Sequence, residues 1–153
     1  MLFIMKKTFL RYIALFILTA GCSSGSTIES FHNFPGQKWQ RFENPLINFD
    51  IEHPNTFYDM WLELHYTSSF DTDNLPVTVI MYTPSGEIRS RDIILKLNVE
   101  KDKHGESGKL RVPLRKEFAF SEKGDCKFEI ENRSQKIEAS GLISIGIIME
   151  KSQ

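Results

Sequence analysis

The chain has 153 residues, 19 basic and 20 acidic side chains, and a formal net charge of −1. That length supports one domain built around one core. Near-balanced charge with no basic bias excludes nucleic acid as a partner, because phosphate binding needs a basic face.

The amino end comes first in chain order. Lys6, Lys7 and Arg11 form a basic region, and Tyr12 to Leu18 is an apolar run too short to span a bilayer. The run ends in Leu18-Thr19-Ala20-Gly21-Cys22, and Ser23-Ser24-Gly25-Ser26 follows. Met1-Leu2-Phe3-Ile4 ahead of Met5 is odd for such a region, and both Met1 and Met5 fit as the first residue. The whole arrangement resembles a bacterial lipoprotein signal peptide, with Thr19 standing where Leu is usual. The resemblance implies that Cys22 is acylated and becomes the first mature residue. One acyl chain binds a bilayer only marginally, whereas two or three hold a protein there.

The expected organisation is a leader over 1–21, the lipidated Cys22 with a polar tether over 22–30, and a folded domain over 31–153. The leader carries three of the basic side chains, so the mature part sets 16 against 20 acidic ones, a net charge of −4. The polar piece Ser23 to Glu29, if extended, spans about 20 Å at roughly 3.3 Å per residue.

Beyond the tether, apolar residues recur with period two. Short candidate strands lie at Phe31–Phe34 and Phe49–Ile51. Tyr58, Met60, Leu62, Leu64 and Tyr66 share one face of a long strand, with Asp59, Trp61, Glu63 and His65 on the other. Pro76 to Tyr82 reads as a strand stopped by the turn signal Pro84-Ser85-Gly86. Ile93–Val99, Leu110–Leu114, Phe118–Phe120 and Cys126–Glu131 follow, and Ile143, Ile145, Ile147 and Met149 mark the last strand. No long apolar stripe at helical spacing occurs. The pattern predicts an all-β fold, a single antiparallel β-sandwich of immunoglobulin-like or jelly-roll-like type.

Few residues invite a chemical reading. Glu63 and His65 share a strand face and could begin a metal site, but the other histidines lack supporting spacing, so an exposed polar face is expected and no metal. Asp71-Thr72-Asp73-Asn74 opens like a calcium loop but lacks the later glycine and acidic ligand, which favours a polar turn. Trp39, Trp61 and Tyr66 offer rings for a sugar-stacking platform, and Trp61, alone among polar neighbours, is the best single candidate for a binding surface. Cys126, in phase with Phe128 and Ile130, reads as a buried small hydrophobe. No nucleophile elbow, Cys–His pairing or phosphate-cradling loop is present. A non-enzyme without a cofactor is expected.

The mature chain resembles the GldH family of gliding-motility lipoproteins of the Bacteroidetes. The resemblance rests on Trp39 after the lipidated cysteine, then Phe49-Asp50-Ile51 and the long alternating strand Tyr58 to Tyr66. Next come Phe70, Asn74-Leu75-Pro76-Val77-Thr78-Val79 and Pro84-Ser85-Gly86. Gly105 and Gly108 occupy the place of a glycine-bearing hairpin, and Phe128-Glu129-Ile130 and Gly141 to Ile147 resemble the closing strands. His65 stands where members often carry Arg, the hairpin has no Trp, and Arg133 corresponds to a basic residue after the penultimate strand. The resemblance implies an envelope lipoprotein that gliding relatives need for surface motility and the linked secretion system. The residues after Cys22 carry neither an inner-membrane retention aspartate nor an acidic export cluster, so the expected place is the periplasmic face of the outer membrane. Two functions from different classes follow. One is an assembly component that docks onto an envelope protein complex, using Trp61, Glu63, His65 and Arg133. The other is a lipid-anchored ligand-binding module, with a glycan as the ligand.

Overall fold

The computed structural model describes residues 26–70, 72–97 and 107–152. Cys22 with its leader, Asp71, His104 and Gly105 lie outside the described residues. The described residues form ten strands: β1 (Thr27–Asn33), β2 (Lys38–Gln40), β3 (Leu46–Ile51), β4 (Phe57–Tyr66), β5 (Asn74–Tyr82), β6 (Ile88–Lys96), β7 (Gly108–Ala119), β8 (Gly124–Asn132), β9 (Glu138–Ser140) and β10 (Leu142–Lys151). One short 3-10 turn lies at Pro35–Gln37.

Two four-stranded antiparallel sheets pack face to face, in the orders β1-β10-β4-β7 and β3-β8-β5-β6, and β2 pairs with β9. Setting the small pair aside and renumbering, the sheets read 1-8-3-6 and 2-7-4-5, which is the strand order of a jelly roll. The chain therefore changes sheet at almost every connection. Only β5 and β6 are consecutive partners, joined by the expected turn, in which Gly86 at φ 87° donates its N–H to Thr83 O at 3.0 Å.

The alternating residues make the core. Tyr58, Met60, Leu62, Leu64 and Tyr66 of β4, with Ile145, Ile147 and Met149 of β10 beside them, face Val77, Val79 and Met81 of β5 and Cys126, Phe128 and Ile130 of β8, all buried. Each such Leu or Ile contributes about 1.5–3 kcal/mol relative to exposure. Burial pushes the Cys126 thiol up to about 12, in keeping with an inert core cysteine.

Several boundaries differ from expectation. The first strand begins at Thr27, inside the expected tether, because Thr27 to Asn33 pairs residue for residue with Glu150 to Ser144. Its cohesion is in main-chain hydrogen bonds, which a polar composition hides. Leu110–Leu114 and Phe118–Phe120 lie along one stretch, since β7 runs to Ala119 past Pro113 and past Glu117 at φ 50°, with register shifts against β4. The β6 strand starts at Ile88, not Ile93. The three-residue strands β2 and β9 are too short for any periodicity.

Candidate functional site

The outer face of the first sheet holds three of the residues singled out in the sequence. Register sets Phe31, Gly146, Glu63 and Arg111 in one cross-strand row, and Ser144, His65 and Lys109 in the next. Glu63 is only 2% exposed, so the expected solvated polar face is wrong at this position. The cause lies across the strands. Gly146 has no side chain, and the Phe31 ring lies over it, so close that a Cβ at 146 would run into Phe31 Cδ1. The same ring sits 5.2 Å, centroid to centroid, from that of His65.

Three nitrogen donors close over the Glu63 carboxylate. His65 Nε2 donates to Oε1 at 2.8 Å, Lys109 Nζ lies 3.1 Å from the same oxygen, and Arg111 Nε donates to Oε2 at 2.7 Å. Arg111 also reaches Glu150 Oε1 at 3.2 Å. Burial alone would raise the Glu63 carboxyl, but the hydrogen bonds from His65, Arg111 and Lys109 outweigh it and hold the group at about 2. Ionised at neutral pH and saturated by donors, this carboxylate is neither a free base nor an open metal ligand. Chemically the cluster is a clamp that ties β4 to β7 and β10. Lys109 and Arg111 carry no apolar signal, but they alternate along β7 as Glu63 and His65 do along β4, and pairing the two strands brings them together.

Trp61 lies on the same face, half-buried, opposite Ile148 and Pro113. Its Nε1 is buried without a hydrogen-bond partner among the described residues. The three-ring platform does not form. Trp39 is fully buried, stacked on Phe34 at 5.1 Å, with Nε1 donating to Glu43 O at 2.7 Å, and Tyr66 is in the core.

Arg133 belongs to a different place. It follows β8 at one end of the second sheet, where its N–H donates to Pro76 O at 2.9 Å and its guanidinium lies 3.4 Å from Glu131. There it lines a cleft of about 350 Å³ with Arg41, Phe42, Asn44, Glu131 and Asn132. Arg41 N–H donates to Ile137 O at 2.8 Å, which sets the Phe42 turn beside the Ile137 segment. Phe42 is 86% exposed and Ile137 73%. Nothing in the local sequence marks either residue, since exposure here follows from how the β2–β9 pair projects.

A second cleft, about 310 Å³, opens between the edge strands β6 and β7 over Met60, Met81 and Leu114. Arg91 crosses it to the Pro113 and Leu114 carbonyls, while Arg89 and Arg115 lie 5.2 and 5.6 Å from the Phe118 ring centroid. With Pro113 in the strand and two carbonyls capped, the middle of β7 is closed to strand addition.

No curated protein matches the chain. Among solved structures, dimeric latent PorU from Porphyromonas gingivalis overlays with a TM-score of 0.44 at 8% identity, over 82% of this chain and 13% of that one. The infectious bursal disease virus Gx strain overlays at 0.39 and 13% identity, covering 82% of this chain and 32% of the other. TmCBM61 in complex with β-1,4-galactotriose overlays at 0.36 and 10% identity, covering 84% and 86%. Likenesses this loose carry no argument about function. The GldH lipoprotein family profile, in contrast, matches residues 26–149, from the start of β1 almost to the end of β10. This jelly roll, with its clamped carboxylate and its exposed aromatic end, belongs to the GldH lipoprotein family.

Proposed function

We propose that the chain is a non-catalytic, lipid-anchored envelope component that docks a partner protein, and that in gliding relatives this docking supports assembly of the motility and protein-secretion machinery. The observation that carries the reading is the exposure of Phe42 and Ile137 on neighbouring segments. They are the two most exposed large apolar side chains among the described residues. A free aromatic ring beside arginine is the composition of an interface core.

Their position supports the same reading. Thr27 pairs with Glu150 at one end of the first sheet, whereas Phe42 and Ile137 lie beyond the other end, past the Asn33–Ser144 pair. Cys22 precedes Thr27 by five residues, a reach of at most about 17 Å. An acyl anchor at Cys22 would therefore keep the Thr27 end near the bilayer and turn the Phe42 end away from it. The periplasmic face of the outer membrane is the proposed location. The non-catalytic role is supported by the occupied Glu63 and the buried Cys126. The glycan-binding alternative has less support, because Trp39 and Tyr66 are withdrawn into the core.

The test is in-cell photocrosslinking from positions 42, 137 and 61, followed by purification of the outer membrane. Capture of a motility- or secretion-complex protein from 42 and 137, lost in Cys22→Ala, is the expected result. Capture of only bulk lipoproteins and porins from both positions would overturn the docking role.

A further inference from the structure

Asn132 is the last residue of β8, in phase with Cys126, Phe128 and Ile130, and only 4% exposed. Its Oδ1 accepts the Ser134 N–H at 2.9 Å, which fixes the orientation of the amide and leaves Nδ2 as the free donor. That Nδ2 is buried with no hydrogen-bond partner among the described residues. Buried donors are normally paired; this one lies under the lining of a cleft, without exposed surface of its own, so it senses the cleft rather than reaching into it.

The cleft is the 350 Å³ one beside Arg41, Phe42 and Arg133. Arg41 makes no ion pair with a described residue, and its guanidinium carbon lies 5.8 Å from the Phe42 ring centroid. Among the described residues the Arg133 guanidinium reaches only Glu131, at 3.4 Å and at an exposed site. The lining therefore offers two guanidinium groups and one exposed ring, with the buried Asn132 amide beside them. A carboxylate accepts up to about four hydrogen bonds and pairs with arginine in bidentate fashion. A neutral polar group would not use both guanidiniums, and a larger polyanion would meet Glu131.

We propose that this cleft receives the side-chain carboxylate of an acidic residue in the docked partner, with a neighbouring apolar side chain of the same segment packed on Phe42. The proposal rests on the docking reading above and names the chemistry of the segment that docks.

The test uses the full polypeptide carrying Cys22→Ser, with acetyl-Phe-Glu-Leu-amide as the probe and acetyl-Phe-Gln-Leu-amide as its isosteric neutral counterpart. The Asn132 side-chain amide pair is followed by nuclear magnetic resonance while peptide is added to about 10 mM. Expected is a saturable shift of that pair with the Glu peptide and at least about tenfold weaker binding of the Gln peptide, the size of one lost charge-assisted contact. Arg41→Gln and Arg133→Gln should each weaken the Glu peptide similarly while leaving the remaining spectrum in place. An unmoved Asn132 pair, or equal binding of both peptides, overturns the proposal. The docking reading fails separately. Crosslinks from position 42 that persist in Arg41→Gln/Arg133→Gln would keep the docking surface and remove the carboxylate.

Discussion

The Phe31 ring lies directly on the Cα of Gly146, filling the space where any other residue would place its Cβ. This contact joins the edge strand β1 to the centre of the first sheet and roofs the Glu63 cluster beside it. Gly146→Ala would drive the new methyl into the ring, at a cost of about 1–3 kcal/mol. Phe31 is on an edge strand, so the ring can move, and Gly146→Ala should cost much less in a Phe31→Ala background. Urea denaturation of the four-member cycle measures this. Coupling below about 0.5 kcal/mol would mean that the ring does not constrain position 146.

Glu63 makes stability depend on acid. Its carboxyl falls from 4.5 to about 2 on folding, because His65, Arg111 and Lys109 outweigh the burial that opposes ionisation. A depressed carboxyl stabilises the fold fully above its unfolded value. That stabilisation is lost as pH falls from about 4.5 towards 2, and it is of order 3 kcal/mol. Glu63→Gln should lower stability at neutral pH by about 2–3 kcal/mol and flatten this acid limb. Unfolding curves from pH 2 to 7 test it, and an unchanged limb in the variant would place the dependence elsewhere.

The two tryptophans should respond unequally to loss of the indole nitrogen. Trp39 Nε1 donates to Glu43 O at 2.7 Å inside the core, so Trp39→Phe should cost about 2–4 kcal/mol from the lost bond and the lost volume. Trp61 Nε1 is buried without a partner, so Trp61→Phe removes an unsatisfied donor and should fall within about 1 kcal/mol of the parent. Equal losses at the two positions in chemical denaturation would contradict the assigned environments.

Cys126 should be silent in the folded protein. Its thiol is pushed up to about 12 by burial, which leaves almost no thiolate at neutral pH. In a Cys22→Ser variant, a disulfide reagent at about pH 8 should label nothing until denaturant is added, after which Cys126 reacts. Prompt labelling of the native protein would show an open route to the core.

The sequence alone determined which side of each long strand is apolar. Alternation along Tyr58–Tyr66, Pro76–Tyr82 and Cys126–Glu131 marks core faces correctly, because a strand's side chains point to opposite faces whatever it pairs with. It also carried the family resemblance, through the order of these strands and of the Pro84-Ser85-Gly86 turn. Only the tertiary structure decided what lies across each face. Gly146 and Phe31 buried Glu63, and the β4–β7 pairing delivered Lys109 and Arg111 to it. The β2–β9 pair drew Trp39 inward and left Phe42 standing out, while Arg133 went with the second sheet, away from the outer face of the first that holds Trp61 and His65. Period two specifies a face but neither the neighbouring strand nor the sheet. Those are set by pairings between residues far apart in the chain, and the choice of jelly roll over an immunoglobulin-like sandwich was settled there.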